Sequence, residues 1–228
     1  MGVPEHELIL VRHGDTAWSG TGRFTGHLDV PLSAIGRGQA AALARCLGDR
    51  GPYKVLCSDL RRTRETARVI ASAHGATPQA DSRLREEHLG RWQGLTRDEV
   101  ATRYPAGYTR WLGGDDRPFD GREGLAAVAD RAVAAVLEAL PAGQAPAAKL
   151  IVVTHCNTAI GLMGRLLCVP RADWIKIGSL RPAHWSVLAG RAALWRLLAH
   201  DRPPARQDTP RAARQDTPRA GRLLDQSA

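Results

Sequence analysis

Leu8-Ile9-Leu10-Val11-Arg12-His13-Gly14 joins four apolar residues directly to an arginine, a histidine and a glycine. A run apolar at every position, rather than at alternate ones, reads as a strand covered on both faces, as in a parallel sheet. Its abrupt end puts two polar side chains where open α/β sheets bind ligands, beyond the carboxyl ends of their strands. Leu150-Ile151-Val152-Val153 repeats the pattern and runs into Thr154-His155. Two strand-end histidines can therefore converge on one pocket. Either alone is more readily a structural histidine; the pair, with Arg12 beside the first, favours a functional site.

Outward from these runs the chain alternates between strand and helix patterns. Asp15 to Pro31 is polar, glycine-rich and without a period, and Gly20-Thr21-Gly22 within it reads as plain loop. Ser33 is placed to cap a helix whose apolar side includes Ala40, Leu43 and Leu47 and which stops near Gly48 and Gly51. Val55-Leu56-Cys57 reads as a second strand. Ser58 or Asp59 then caps a helix through about Ala73, with Leu60, Ala67, Ile70 and Ala71 on one face and Arg61 and Arg64 in solvent. Thr96-Arg97-Asp98-Glu99 matches a capping box and opens a short helix towards Tyr104. Pro105 to Arg122 has no clear period, whereas Glu123 to Leu140 is strongly helical. A helix from about Asn157 to Leu167 follows the second histidine, and segments near Trp185–Leu188 and Ala193–Leu198 read as edge strands.

This order implies one α/β domain over residues 1–199, a three-layer sandwich with a largely parallel central sheet and helices on both faces. From residue 200 the character changes. Ala205–Ala212 and Ala213–Ala220 are one octapeptide, Ala-Arg-Gln-Asp-Thr-Pro-Arg-Ala, in tandem. It is too short and polar for a solenoid unit, so residues 200–228 read as a disordered tail rich in arginine and proline.

Composition narrows the function classes. Hydrophobic residues make up 43% of the 228, which excludes disorder over most of the length. No run approaches the roughly 20 apolar residues of a membrane-spanning helix. Met1 to Glu7 lacks the basic-then-apolar order of a secretory signal, so a cytoplasmic location without membrane contact is expected. Cys46, Cys57, Cys156 and Cys168 are spaced for neither a disulfide framework nor a zinc site, and buried free thiols are expected. The formal charge of +9 favours anionic ligands, and lysine stands only at 54, 149 and 176. Arginine forks phosphate oxygens better than lysine does. The aspartates of the octapeptide dilute its arginines, so no nucleic-acid partner is expected. A homodimer is compatible with the sequence, which does not set the oligomeric state.

Arg-His-Gly after a strand, an arginine-bearing helix and a second strand-end histidine resemble the histidine phosphatase superfamily, from Leu8 to about Leu198. Leu10 to Trp18 is similar to the opening signature, and Arg23-Phe24-Thr25-Gly26-His27-Leu28-Asp29-Val30-Pro31-Leu32-Ser33 continues it. Ser58-Asp59-Leu60-Arg61-Arg62-Thr63-Arg64-Glu65-Thr66-Ala67 resembles the second motif and places the pocket arginine at Arg62. Leu84-Arg85-Glu86, with Gly90, Trp92 and Gly94, resembles the third and places the acid at Glu86. Val153-Thr154-His155 supplies the second histidine. The resemblance implies a phosphoglycerate mutase-like fold and a phosphomonoester hydrolase working through phosphohistidine, with no metal or cofactor.

The residue types suit that chemistry. A phosphoryl group in transfer spreads charge over three oxygens, which Arg12 and Arg62 can fork, and a protonated His155 would add a third charged donor. His13 must present a neutral ring nitrogen, its tautomer fixed by a backbone carbonyl. Glu86 would protonate the leaving oxygen and then activate water. Thr25, Gly26 and Asn157 complete the phosphate-binding set. Trp111 is a candidate pocket wall, whereas Trp174 and Trp185 read as packing.

The alternative is a phosphoglycerate mutase-type transfer. Mutases of this superfamily follow the acid with arginine and then tyrosine; here those places hold Glu87 and Leu89, and an acidic Glu87 would repel a second anionic group. Ser19 also stands where mutases often have asparagine. Arg83 to Thr96 is most similar to actinobacterial phosphatases acting on glucosyl-3-phosphoglycerate, which implies a small phosphorylated sugar or phosphoglycerate derivative as substrate. Two departures are Gly121-Arg122-Glu123-Gly124 in place of Gly-Gly-Glu-Ser and Cys156-Asn157 in place of a glycine pair, with Cys156 narrowing the pocket.

Overall fold

Six strands form one sheet in the computed structural model, which describes residues 5–48, 53–115, 117–141 and 146–204. They are β1 (His6–Arg12), β2 (Lys54–Cys57), β3 (Gln79–Ala80), β4 (Lys149–Thr154), β5 (Trp185–Arg191) and β6 (Leu194–Arg202). Their spatial order is β3-β2-β4-β1-β5-β6. The first four run parallel, while β5 is antiparallel to both β1 and β6. Six α-helices accompany them: α1 (Ala34–Gly48), α2 (Arg61–Ala73), α3 (Arg97–Arg103), α4 (Pro105–Leu112), α5 (Leu125–Ala139) and α6 (Cys156–Leu166).

Side chains alternate across a strand, so an all-apolar run must be covered twice. Leu8 and Leu10 of β1, with Leu150 and Val152 of β4, pack against Ala132, Val136, Leu162 and Met163 of α5 and α6. Ile9, Val11, Ile151 and Val153 point the other way, onto Leu43 and Leu47 of α1 and Ala67 and Ile70 of α2. Each fully buried Leu, Ile, Val or Met side chain among them contributes about 1.5–3 kcal/mol relative to exposure. The result is the expected three-layer sandwich. It leaves the carboxyl ends of β1 and β4 side by side, with Arg12 in register with Thr154.

Several local expectations are corrected. Trp185–Leu188 is not an edge strand: β5 lies between β1 and β6 and is buried on both faces, and of the two expected edges β6 alone is one. Ser58 and Asp59 do not cap α2; its first amide, from Arg61, is taken by Asp29 Oδ1 at 2.6 Å, and Asp59 pairs with Arg85. The aperiodic stretch after Tyr104 contains α4, started by Pro105 at its first position, where a missing N–H costs nothing. The four cysteines are free, but only Cys57 is buried and Cys168 is exposed. β6 runs to Arg202, past residue 199. The octapeptide repeat and most of the expected tail lie outside the described residues. Among those described, no helix is long and apolar enough to cross a membrane.

Candidate active site

The cleft begins where β1 ends. The His13 amide donates to Thr154 O at 3.0 Å, and the Ala183 amide reaches the carbonyls of both Arg12 and His13, so the strand end is pinned from two neighbours. Gly14 then passes against Gly36 of α1: a Cβ on Gly14 would meet Gly36 O at 2.5 Å. The Gly14 amide donates to Thr66 Oγ1 and that of Asp15 to Gln39 Oε1, tying the turn to α2 and α1. His13 therefore sits on a backbone fixed on all sides.

His13 Nδ1 lies 2.7 Å from Gly14 O. A carbonyl can only accept, so Nδ1 carries the proton and Nε2 keeps its lone pair. Burial, with the Arg62 and Arg12 cations, holds the His13 pKa well below the ordinary 6.5. The ring is therefore neutral at neutral pH. His155 lies beside it, ring centroids 5.2 Å apart, and is fully buried beneath the cleft lining.

Arg62, on the first turn of α2, joins these elements. Its Nε donates to His155 Nδ1 at 3.2 Å, and its two terminal nitrogens donate to Leu28 O and Gly26 O at 2.8 Å. The bond from Arg62 makes His155 Nδ1 an acceptor and leaves the proton on Nε2, which is buried without a partner. Burial and Arg62 hold His155 well below its usual range, so the ring is a neutral donor, and only a bound phosphate could favour the cation. Burial lowers Arg62 itself to about 10, still charged at neutral pH. Arg12 donates to Leu180 O at 2.7 Å and has a buried Nε with no partner. Unpaired buried donors converging beside a neutral imidazole make a cradle for an anion.

Glu86 docks on the N-terminus of α6. Its Oε1 accepts from Thr158 N at 3.2 Å and Thr158 Oγ1 at 3.3 Å, and its Oε2 from Asn157 N at 3.3 Å. Arg131 of α5 gathers the backbone of this loop, donating to the carbonyls of Arg83, Arg85 and Glu86.

A cleft of about 450 Å³ is lined by Arg12, His13, Thr25, Gly26, Arg62, Glu86 and Asn157, all expected from the sequence. Asn157 lines it with one N–H of its side-chain amide given to Glu87 Oε2 at 2.9 Å. Cys156 and Trp111 also line it. Ser19 does too, with its Oγ accepting from the Thr16 amide. Glu87 does not. It is 2% exposed and bonded to Arg122, so it is no repelling carboxylate in the cleft. The contrast with mutases rests instead on Leu89, an apolar lining residue where they have tyrosine.

Sequence reasoning missed Trp18, Arg23 and Arg97, which form the outer wall. Arg23 lies 3.8 Å from Glu99, and Arg97 has no carboxylate partner among the described residues. Trp18 and Arg23 belong to the aperiodic loop, and Arg97 was visible only as part of a capping box.

A profile of the histidine phosphatase superfamily (branch 1) matches residues 8–202. A glucosyl-3-phosphoglycerate phosphatase of Mycobacterium tuberculosis strain H37Rv is 34% identical over 192 residues, 82% of this chain and 86% of that protein. A metal-independent phosphoserine phosphatase of Arabidopsis thaliana is 36% identical over 182 residues, 78% and 76% of the two chains. Among solved structures, a mycobacterial glucosyl-3-phosphoglycerate phosphatase superposes with a TM-score of 0.78 at 32% identity, covering 87% of this chain and 99% of its own.

Proposed function

The chain belongs to the histidine phosphatase superfamily, and from that premise we propose that it hydrolyses small phosphate monoesters through a phosphohistidine on His13. The observation that carries this reading is the neutral Nε2 lone pair of His13 beside the unpaired buried N–H groups of Arg12 and His155. Those donors, with the free N–H bonds of Arg62, Thr25 and the backbone near Gly26, would bind the phosphoryl oxygens. His13 Nε2 attacks phosphorus as the ester oxygen leaves, and Glu86 gives that oxygen its proton. Glu86 then takes a proton from the water that attacks phosphohistidine, releasing phosphate and restoring His13.

The substrate class follows from the outer wall. A volume near 450 Å³ suits a small metabolite. Arg23, 5.6 Å from the Trp18 ring centre, and Arg97, 5.9 Å from that of Trp111, offer positive charge at the rim beside aromatic surface against which a sugar ring can pack. A phosphorylated sugar acid or phosphoglycerate derivative, handled in the cytoplasm, fits both, and the name of the glucosyl-3-phosphoglycerate phosphatase relative supports it, whereas that of the phosphoserine phosphatase supports only a small phosphorylated metabolite.

A phosphate-release screen over sugar phosphates, phosphoglycerates, phosphoserine and nucleotides tests the class. Carboxylate-bearing monoesters should lead it, with Arg97→Ala raising their KM. Preference for nucleotides would refute the class, and interconversion of phosphoglycerates stimulated by 2,3-bisphosphoglycerate would refute hydrolysis as the main reaction. Since arginines supply the charge, EDTA should leave activity unchanged; marked loss would require a metal.

A further inference from the structure

We propose that Glu87 and Arg122 form a buried positioning pair that sets Glu86 in the cleft by clamping the first turn of α6. The inference rests on the reading of Glu86 as the proton donor. Two consecutive carboxylates grip the same turn. Glu86 takes the backbone amides of Asn157 and Thr158, while Glu87 Oε2 takes the side-chain amide of Asn157 at 2.9 Å. The other oxygen, Glu87 Oε1, accepts from Arg122 Nη2. Arg122 is held in turn by aromatic faces, its guanidinium 4.8 Å from the Trp92 ring centre and 4.9 Å from that of Phe119. Its backbone pairs with Leu89, three residues beyond Glu86.

Neither member of the pair lines the cleft, and their side chains are 2% and 7% exposed, so neither can touch a substrate there. Their side chains are linked to the cleft through Asn157, whose backbone amide also holds Glu86. Stability does not explain the pair, because buried ion pairs replaced by apolar residues of similar volume often leave a protein as stable or more so. An apolar pair would fill the space but offer Asn157 no acceptor. Arg122 serves to keep that acceptor charged beside Glu86 without leaving an uncompensated buried carboxylate.

The test uses leaving-group dependence, because a general acid matters for a poor alkoxide leaving group and little for p-nitrophenolate. Comparing kcat/KM isolates the phosphorylation step. Glu86→Gln should lose far more activity on 3-phosphoglycerate than on p-nitrophenyl phosphate. The double variant Glu87→Leu/Arg122→Met should show the same selectivity, about 10-fold or more on the alkyl ester against less than about threefold on the aryl ester. Arg122→Lys, which keeps the charge, should recover most of the alkyl activity and serves as the second variant if the double one does not fold. Equal losses on both esters, or none, in the pair variants while Glu86→Gln remains selective would overturn this inference alone. A non-selective Glu86→Gln would overturn the proton-donor reading itself, and the inference with it.

Discussion

His13 works, on this account, because of its protonation state. Burial and the flanking Arg62 and Arg12 favour the neutral ring, and Gly14 O selects the tautomer that frees Nε2. The same burial ties stability to pH. In the unfolded chain His13 and His155 protonate near about 6.5, whereas in the fold both stay neutral well below that. The unfolded state then binds more protons, so stability falls as pH drops below about 6.5, by up to about 1.4 kcal/mol per pH unit for each histidine. Thermal melts between about pH 7.5 and 5.5 should show this decline, and His155→Gln should flatten it; an unchanged slope would contradict a neutral buried His155. Arg12, His13, Arg62, Glu86 and His155 were legible in the chain because each follows a strand or sits in a quoted motif. Glu87 was misread as a cleft residue because it adjoins Glu86, and its partner Arg122 is 35 positions away, a contact no local pattern announces.

The elements carry these residues by rules of unequal visibility. The Thr96 capping box spans four positions and was readable; both of its hydrogen bonds form. The cap of α2 was not, because Asp29 comes from 32 residues upstream to take the Arg61 amide. That bond secures the turn bearing Arg62, so Asp29→Ala should cost about 1 kcal/mol of stability and weaken inorganic phosphate binding. Calorimetry and phosphate titration check both, and unchanged phosphate affinity would separate the cap from the site. β5 shows the limit of pattern reading from the other side. Its neighbours in the sheet, not its own composition, make it an internal strand.

The whole molecule places its chemistry at the adjoining carboxyl ends of parallel β1 and β4, with α2 and α6 contributing Arg62 and the seat of Glu86. That architecture was largely legible, since runs such as Leu8–Val11 demand cover on two faces. The outer wall was not, since the loop bearing Trp18 and Arg23 meets Arg97 only in the folded chain. The central claim is covalent transfer to His13, and rapid-quench trapping with a labelled phosphomonoester tests it most directly. The account predicts an acid-labile phosphoryl group on the peptide containing His13, absent in a folded His13→Ala variant that has lost turnover. Full turnover by His13→Ala, or label on another residue, would contradict it.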